Sequence, residues 1–134
     1  MKPTLAMLVT ALTVLASQPG QTAAADRPGA VLYRRYCGAC HGPEGKGDGA
    51  VAPALGERPT DLTQLAKQNG GTFPFDRTVQ AIDGTTSVRA HGVSEMPVWG
   101  EAFRAESEWP VERHIEARGK IVLITEYLRS IQAR

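Results

Sequence analysis

This 134-residue chain has few cysteines, balanced charge, no internal repeat and no apolar run long enough to cross a membrane. Its two Cys and three His residues supply too few matched ligands for a structural zinc site. Its 15 basic and 14 acidic residues provide no concentrated basic surface of the kind that nucleic-acid binding needs. Because apolar and polar residues almost nowhere alternate with a period of two, we expect no strands. The length of the chain fits a single domain, and the lack of alternation favours one built from helices.

The longest apolar run covers residues 5–16, near the N-terminus. Its 12 residues are fewer than the ~20 that span a bilayer. Lys2 precedes the run and three alanines at 23–25 follow it, in the order typical of a secretory signal with a small-residue cleavage site. We therefore expect residues 1–25 to be a cleavable signal and residues 26–134 to be an exported, periplasmic domain without a membrane span. The alternative is an uncleaved membrane anchor.

The strongest motif is Cys37-Gly38-Ala39-Cys40-His41, which has the Cys-x-x-Cys-His spacing of a c-type haem attachment site. In such a site the two thiols form thioether bonds with the two vinyl groups of the porphyrin. The next residue, His41, then directs its imidazole at the iron. The small residues between the cysteines let the ring lie close to the backbone. We expect one covalent haem c at this motif.

Other uses of a Cys-x-x-Cys pair fit the sequence less well. A thioredoxin-like redox site needs a strand before the pair and a helix after it, whereas a helix-like segment precedes this pair and a Gly-rich loop follows it. A zinc site needs two more ligands, and His91 and His114 are distant and unpaired. A disulfide across two residues would be strained and would leave His41 without a role.

Helical patterns cover much of the rest of the chain. Helices are predicted over residues 28–36, 60–68 and 76–83 and after Pro110, with a Gly- and Pro-rich loop over 42–59. Thr60 and Asp76 are the expected N-caps, and Gly84 is the expected end of its helix. The last helix carries an apolar stripe from Ile121 onward, and Gly119 could divide it.

Met96 is the main candidate for the sixth ligand of a haem iron. It is the only methionine left once the signal is removed, and Pro97 favours an extended conformation for it, outside a helix core. His91 is the rival, while His114 lies among charged residues typical of a solvated helix face. With His41 and Met96 both bound, no position is open for a substrate, which argues against an enzyme or a gas sensor.

Over residues 27–133 the chain resembles the class I cytochromes c. Gly29 and Tyr33 resemble that family's N-terminal helix, in which the glycine lets the C-terminal helix cross closely and the aromatic ring packs on it. Tyr127 is in the matching place on the last helix. The resemblance implies an all-α cytochrome c fold, in which the N- and C-terminal helices cross and short helices and loops surround one covalent haem.

The same resemblance implies further haem contacts. Pro53, twelve residues after His41, matches the proline whose carbonyl accepts the N–H of the axial imidazole. Leu55 matches a haem-packing leucine, and Met96 with its following proline matches the axial methionine loop. Trp99 would wall the pocket near the propionates.

The resemblance implies a non-enzymatic periplasmic carrier of one electron, with redox proteins as transient donor and acceptor. One alternative is a dedicated cytochrome c subunit of a larger periplasmic oxidoreductase complex, and another is a haem enzyme or sensor with a labile Met96. Without Lys2 the exported domain has 14 basic and 14 acidic residues. Because the family's strongly basic carriers differ in this respect, their partners are not carried over.

Overall fold

The computed structural model of the protein describes residues 27–85 and 97–133, and within them it is helical and has no strand. Residues 27–85 and 97–133 form six α-helices, numbered here in chain order: α1 (Pro28–Tyr36), α2 (Gly38–His41), α3 (Leu65–Gln68), α4 (Phe75–Asp83), α5 (Trp99–Glu106) and α6 (Arg113–Ser130). Two 3-10 turns, Ala52–Ala54 and Leu62–Gln64, lie between α2 and α3. The all-α fold class is confirmed. In these two stretches no helix is both long and apolar enough to cross a bilayer.

The two ends of the described chain cross where α1 meets α6. A Cβ atom added at Gly29 would meet the carbonyl oxygen of Leu123 and lie 3.1 Å from the Cβ atom of Tyr127. The rings of Tyr33 and Tyr127 pack with their centroids 5.0 Å apart. Both features of the predicted crossing are therefore present: a glycine at the contact and an aromatic pair beside it.

The core lies between α1, α4, α5 and α6. Its fully buried members come from all four helices: Ala30, Tyr33, Ile82, Phe103, Ala117, Ile121, Ile124 and Leu128. The apolar stripe that starts at Ile121 faces this core, as its spacing predicts. Gly119 lies on the opposite, exposed face of an unbroken α6, so the helix is not divided there.

Two predicted caps are wrong. Asp61, not Thr60, caps the turn before α3, since its Oδ1 accepts the N–H of Thr63 at 2.9 Å. The backbone carbonyl of Thr60 is engaged elsewhere, as shown below. At α4 the N-cap is Pro74, and no side chain caps this end. Gly84 ends α4 in the left-handed region at φ 79°, as expected.

Candidate functional site

The attachment motif forms the joint between α1 and α2. Cys37 ends α1, donating its backbone N–H to the carbonyl of Tyr33 at 2.8 Å. Cys37 is buried, Cys40 is half-buried, and neither forms a disulfide. Burial, with a smaller contribution from Cys40, raises the pKa of the Cys37 thiol to about 12. A thioredoxin-like cysteine requires a lowered pKa, and here the pair follows a helix rather than a strand, so this alternative fails on both counts.

His41, the last residue of α2, is buried with 8% of its surface exposed. Its Nδ1 atom lies 3.1 Å from the carbonyl oxygen of Thr60, and since a carbonyl only accepts, Nδ1 carries the proton. Burial lowers the pKa of His41, and the bond to Thr60 acts in the opposite direction. The ring is therefore neutral near pH 7, with Nε2 left to coordinate a metal.

This geometry corrects the assignment of Pro53 as the partner of the imidazole. The Nδ1–H group can donate one hydrogen bond, and the carbonyl of Thr60 accepts it. Pro53 lies in the 3-10 turn Ala52–Ala54. The reason is the path of the loop after His41, which turns back on α2 before it returns past the ring at Thr60. Counting twelve residues from His41 therefore reaches the wrong part of the loop.

Backbone hydrogen bonds tie this loop to α2. The carbonyls of Ala39, Cys40 and His41 accept the N–H groups of Val51, Gly49 and Gly47 at 3.0, 3.1 and 2.9 Å respectively. A Cβ atom at Gly49 would lie 2.6 Å from the carbonyl carbon of Ala39, and one at Gly47 would meet the carbonyl oxygen of Pro59. The glycines of the loop thus allow a close approach that holds the attachment motif in place.

The buried Tyr33 hydroxyl makes a further tie between α1 and the loop. It donates to the carbonyl of Gly42 at 2.7 Å. Burial is the largest cause of a pKa of Tyr33 far above its ordinary value. The hydroxyl therefore stays protonated and remains a donor.

A cavity of about 270 Å³ opens beside Cys37. Its lining comes from the attachment motif, the following loop and helices α3, α4 and α6: Cys37, Thr60, Leu62, Leu65, Gln68, Asn69, Pro74, Arg77, Thr78, Ala81, Ile82, Ile124 and Leu128. Most of these side chains are apolar, and the polar ones come from α3, α4 and the connections around them. An apolar cleft with a few polar groups is the usual form of a cofactor site.

Leu55 does not lie on this cavity. Together with Pro53 it lines a separate surface cavity of about 430 Å³. Leu62, two residues after Thr60, lies on the cavity beside Cys37 instead. The sequence analysis placed position 62 within the predicted helix over 60–68 and gave it no haem contact. Leu62 follows Thr60 by two residues, as Leu55 follows Pro53, so the path of the loop that selects Thr60 also selects Leu62.

Trp99 lies in an aromatic cluster formed by Tyr36, Trp99 and Phe103. The ring of Trp99 stacks on Phe103 at 5.5 Å and meets the edge of Tyr36 at 5.4 Å between centroids. The cluster adjoins the attachment motif because Tyr36 directly precedes Cys37. Trp99 starts α5, a helix that the sequence analysis missed. The predicted sixth ligand Met96 and its rival His91 lie outside the described residues, whereas His114 is exposed on α6 as expected.

The residues present fit a covalently held porphyrin. Cys37 lines an apolar cavity, and the second thiol, Cys40, follows three residues later, one turn along α2. A buried, neutral imidazole follows them, and its Nδ1–H bond to a backbone carbonyl orients the ring. Such a bond to the remote nitrogen is the usual support for a metal-binding histidine.

Comparison with known proteins agrees with this interpretation. The family profile described as cytochrome c oxidase, cbb3-type, subunit III matches residues 24–112. No curated protein and no solved structure matches the chain. Since the family match covers well over half of the sequence, the chain belongs to this family of c-type cytochromes and transfers electrons through covalently bound haem c.

Proposed function

We propose that Cys37 and Cys40 hold the haem through thioether bonds, and that His41 and Met96 are its axial ligands. The observation that carries the proposal is the contact between the Nδ1 atom of His41 and the carbonyl of Thr60. It supports a ring held in one tautomer, with Nε2 directed to the iron. Met96 rests on the sequence argument alone.

When bound, the haem supplies the Fe(III)/Fe(II) couple that stores one electron. The chain's own residues contribute a fixed environment for that couple. The carbonyl of Thr60 keeps the proton on Nδ1 of His41, which makes the imidazole a stronger donor to a metal. A thioether sulfur from Met96 would raise the reduction potential relative to a second histidine. The hydrogen bonds between α2 and the Gly-rich loop limit the movement of His41.

We further propose that the protein is a periplasmic carrier, exported by the signal at residues 1–25, which exchanges electrons through transient docking. Encounters of this kind commonly bury less than ~1,200 Å². The second candidate is a subunit of a larger periplasmic oxidoreductase complex. The matching family is that of a subunit of a cytochrome c oxidase, which favours this second candidate.

The haem assignment is tested by replacing the motif cysteines. Cys37→Ala combined with Cys40→Ala should abolish covalent haem, measured by haem staining of a denaturing gel after expression in a host competent for cytochrome c maturation. Met96→Ala is the matched variant, because it should keep the stain but lower the reduction potential. A stained band from the double cysteine variant contradicts the attachment site. An unchanged potential in Met96→Ala contradicts the sixth ligand.

Size-exclusion chromatography of natively expressed protein separates the two functional candidates. A carrier should elute at the size of the single chain, with its haem absorbance in that fraction. Co-elution of the haem absorbance with a catalytic subunit would instead establish the complex and overturn the carrier proposal.

A further inference from the structure

The side chain of Gln132 joins the last residues of the chain to the stretch that returns past the attachment motif. Gln132 follows α6, and its amide nitrogen donates to the carbonyl of Leu62 at 2.8 Å and to that of Leu128 at 2.7 Å. Its amide oxygen accepts the backbone N–H of Ala66 at 2.8 Å. Because a carbonyl only accepts and an N–H only donates, one orientation of the amide satisfies all three partners. The side chain thus bridges α6, the turn at 62–64 and the start of α3.

Two backbone hydrogen bonds hold the same stretch. The N–H of Ala133 donates to the carbonyl of Thr63 at 2.8 Å, and the N–H of Leu62 donates to the carbonyl of Gly45 at 2.7 Å. Residues 62–66 are therefore fixed to the chain after α6 on one side and to the Gly-rich loop on the other. Of these hydrogen bonds, those of Gln132 come from a side chain, so a point substitution can remove them.

The stretch held by Gln132 also carries the acceptor of the buried imidazole. Thr60, whose carbonyl oxygen lies 3.1 Å from Nδ1 of His41, is two residues before Leu62. This short connection transmits a displacement of Leu62 to the carbonyl of Thr60. Leu62 and Leu128, whose carbonyls accept from Gln132, both line the cavity beside the attachment motif. One amide therefore holds two walls of the cavity together, next to the carbonyl that orients the imidazole.

We infer that Gln132 is a positioning residue for the axial imidazole of the haem. The inference rests on the proposed role of His41 as a ligand. By fixing residues 62–66, Gln132 keeps the carbonyl of Thr60 within hydrogen-bonding distance of Nδ1, and this bond strengthens the imidazole as a donor to iron. A stronger donor stabilises Fe(III) relative to Fe(II), so the bond lowers the reduction potential. Gln132 acts on the iron through Thr60 and His41.

Gln132→Ala in the purified holoprotein tests the link to the imidazole. With the histidine rings isotopically labelled, NMR of the ferric protein follows the exchange of the His41 Nδ1–H proton with deuterium. Exchange requires the contact with Thr60 to open. Loss of the bridge should therefore speed the exchange about fivefold, the equivalent of one net hydrogen bond.

The reduction potential of the same variant separates positioning from general loosening. A weaker bond to Nδ1 makes the imidazole a weaker donor, so the potential should rise. A loosened fold would instead admit water to the haem, which favours the charged ferric state and lowers the potential. Gln132→Glu is the second variant, because its ionised carboxylate can still accept from Ala66 but cannot donate to the two carbonyls. It should change both quantities in the same directions.

Two substitutions serve as matched controls. Gln64→Ala removes the same type of side chain from the turn itself, where its amide donates to the hydroxyl of Thr63 at 3.0 Å. Ser130→Ala removes a hydroxyl at the end of α6 that donates to the carbonyl of Tyr127 at 2.7 Å. Neither of these bonds joins α6 to residues 62–66, so exchange and potential should stay at the wild-type values. An equal acceleration of exchange in either control would overturn the inference.

The wild-type spectrum distinguishes failure of the inference from failure of the proposed function. If the ring signals of His41 show no hyperfine shift in the ferric protein, His41 is not a ligand and both fail. If they are shifted, but Gln132→Ala and Gln132→Glu change neither exchange nor potential, the inference alone fails. Faster exchange with a lower potential would leave Gln132 a purely structural role and would also overturn it. Should Gln132→Ala not fold, Gln132→Glu decides.

Discussion

The contact between α1 and α6 leads to a quantitative prediction for Gly29→Ala. The added methyl would meet the carbonyl oxygen of Leu123 and lie 2.9 Å from its carbonyl carbon. Because both atoms belong to a helix backbone, neither can rotate away, and the helices must separate. Overpacking of this kind costs up to about 3 kcal/mol, and the better helix propensity of alanine returns ~1 kcal/mol. We expect a net loss of about 2 kcal/mol in the free energy of unfolding.

Thermal unfolding of the holoprotein measures this loss. For a domain of this size the Tm should fall by roughly 8–16 °C, followed in parallel by far-ultraviolet circular dichroism and haem absorbance. Gly119→Ala is the control, since it has the same propensity gain without the collision and should raise the Tm by about 4–8 °C. A Gly29→Ala variant as stable as the wild type would refute the close crossing.

Three further predictions concern the site and its surroundings. Leu62→Ala should shift the haem absorbance maximum and lower the Tm by opening a cavity on the cofactor side, whereas Leu55→Ala should leave the haem spectrum unchanged. The opposite pattern would restore Leu55 as the haem-packing leucine. Tyr33→Phe removes the shorter of the two hydrogen bonds to the buried carbonyl of Gly42, which keeps the N–H of Gly45 at 3.2 Å, and it should cost about 0.5–1.5 kcal/mol in urea unfolding. No cost would mean that water replaces the hydroxyl. The hydrogen bond from the α6 lysine lowers the pKa of Glu106 below its ordinary 4.5, so its stabilisation is complete above pH 4.5 and lost as the pH falls through the lowered value. Glu106→Gln should therefore be less stable than the wild type at pH 7, and the difference should shrink as the pH falls below 4.5. A pH-independent difference would exclude the ion pair as its cause.

The parts of the fold that could be predicted follow local rules. Helix α1 has the predicted bounds because a proline suits its first turn and the attachment motif follows it. The glycine at the crossing and its aromatic neighbours, Tyr33 and Tyr127, were recognised from the resemblance to the class I cytochromes c. Gly84 was recognised because a glycine after an apolar-periodic segment commonly adopts the left-handed conformation that ends a helix.

The errors arose where the path of the chain decides the contact. The carbonyl that meets His41 depends on how the Gly-rich loop folds onto α2. This path makes Thr60 the partner instead of the predicted Pro53. Helix α5 was missed because Met96, Trp99 and the residues between them were interpreted as one loop. The four-residue spacing of Trp99 and Phe103 was the available helical signal.

The acceptor that orients the imidazole of His41 is a main-chain oxygen, and main-chain oxygens are common to all twenty amino acids. Exchanging the side chain at position 60 therefore leaves this acceptor in place. Lengthening or shortening the stretch between Gly49 and Thr60 would instead carry it away from the ring. In this protein an insertion or deletion in the loop, rather than a point substitution at position 60, would therefore change the basicity of His41.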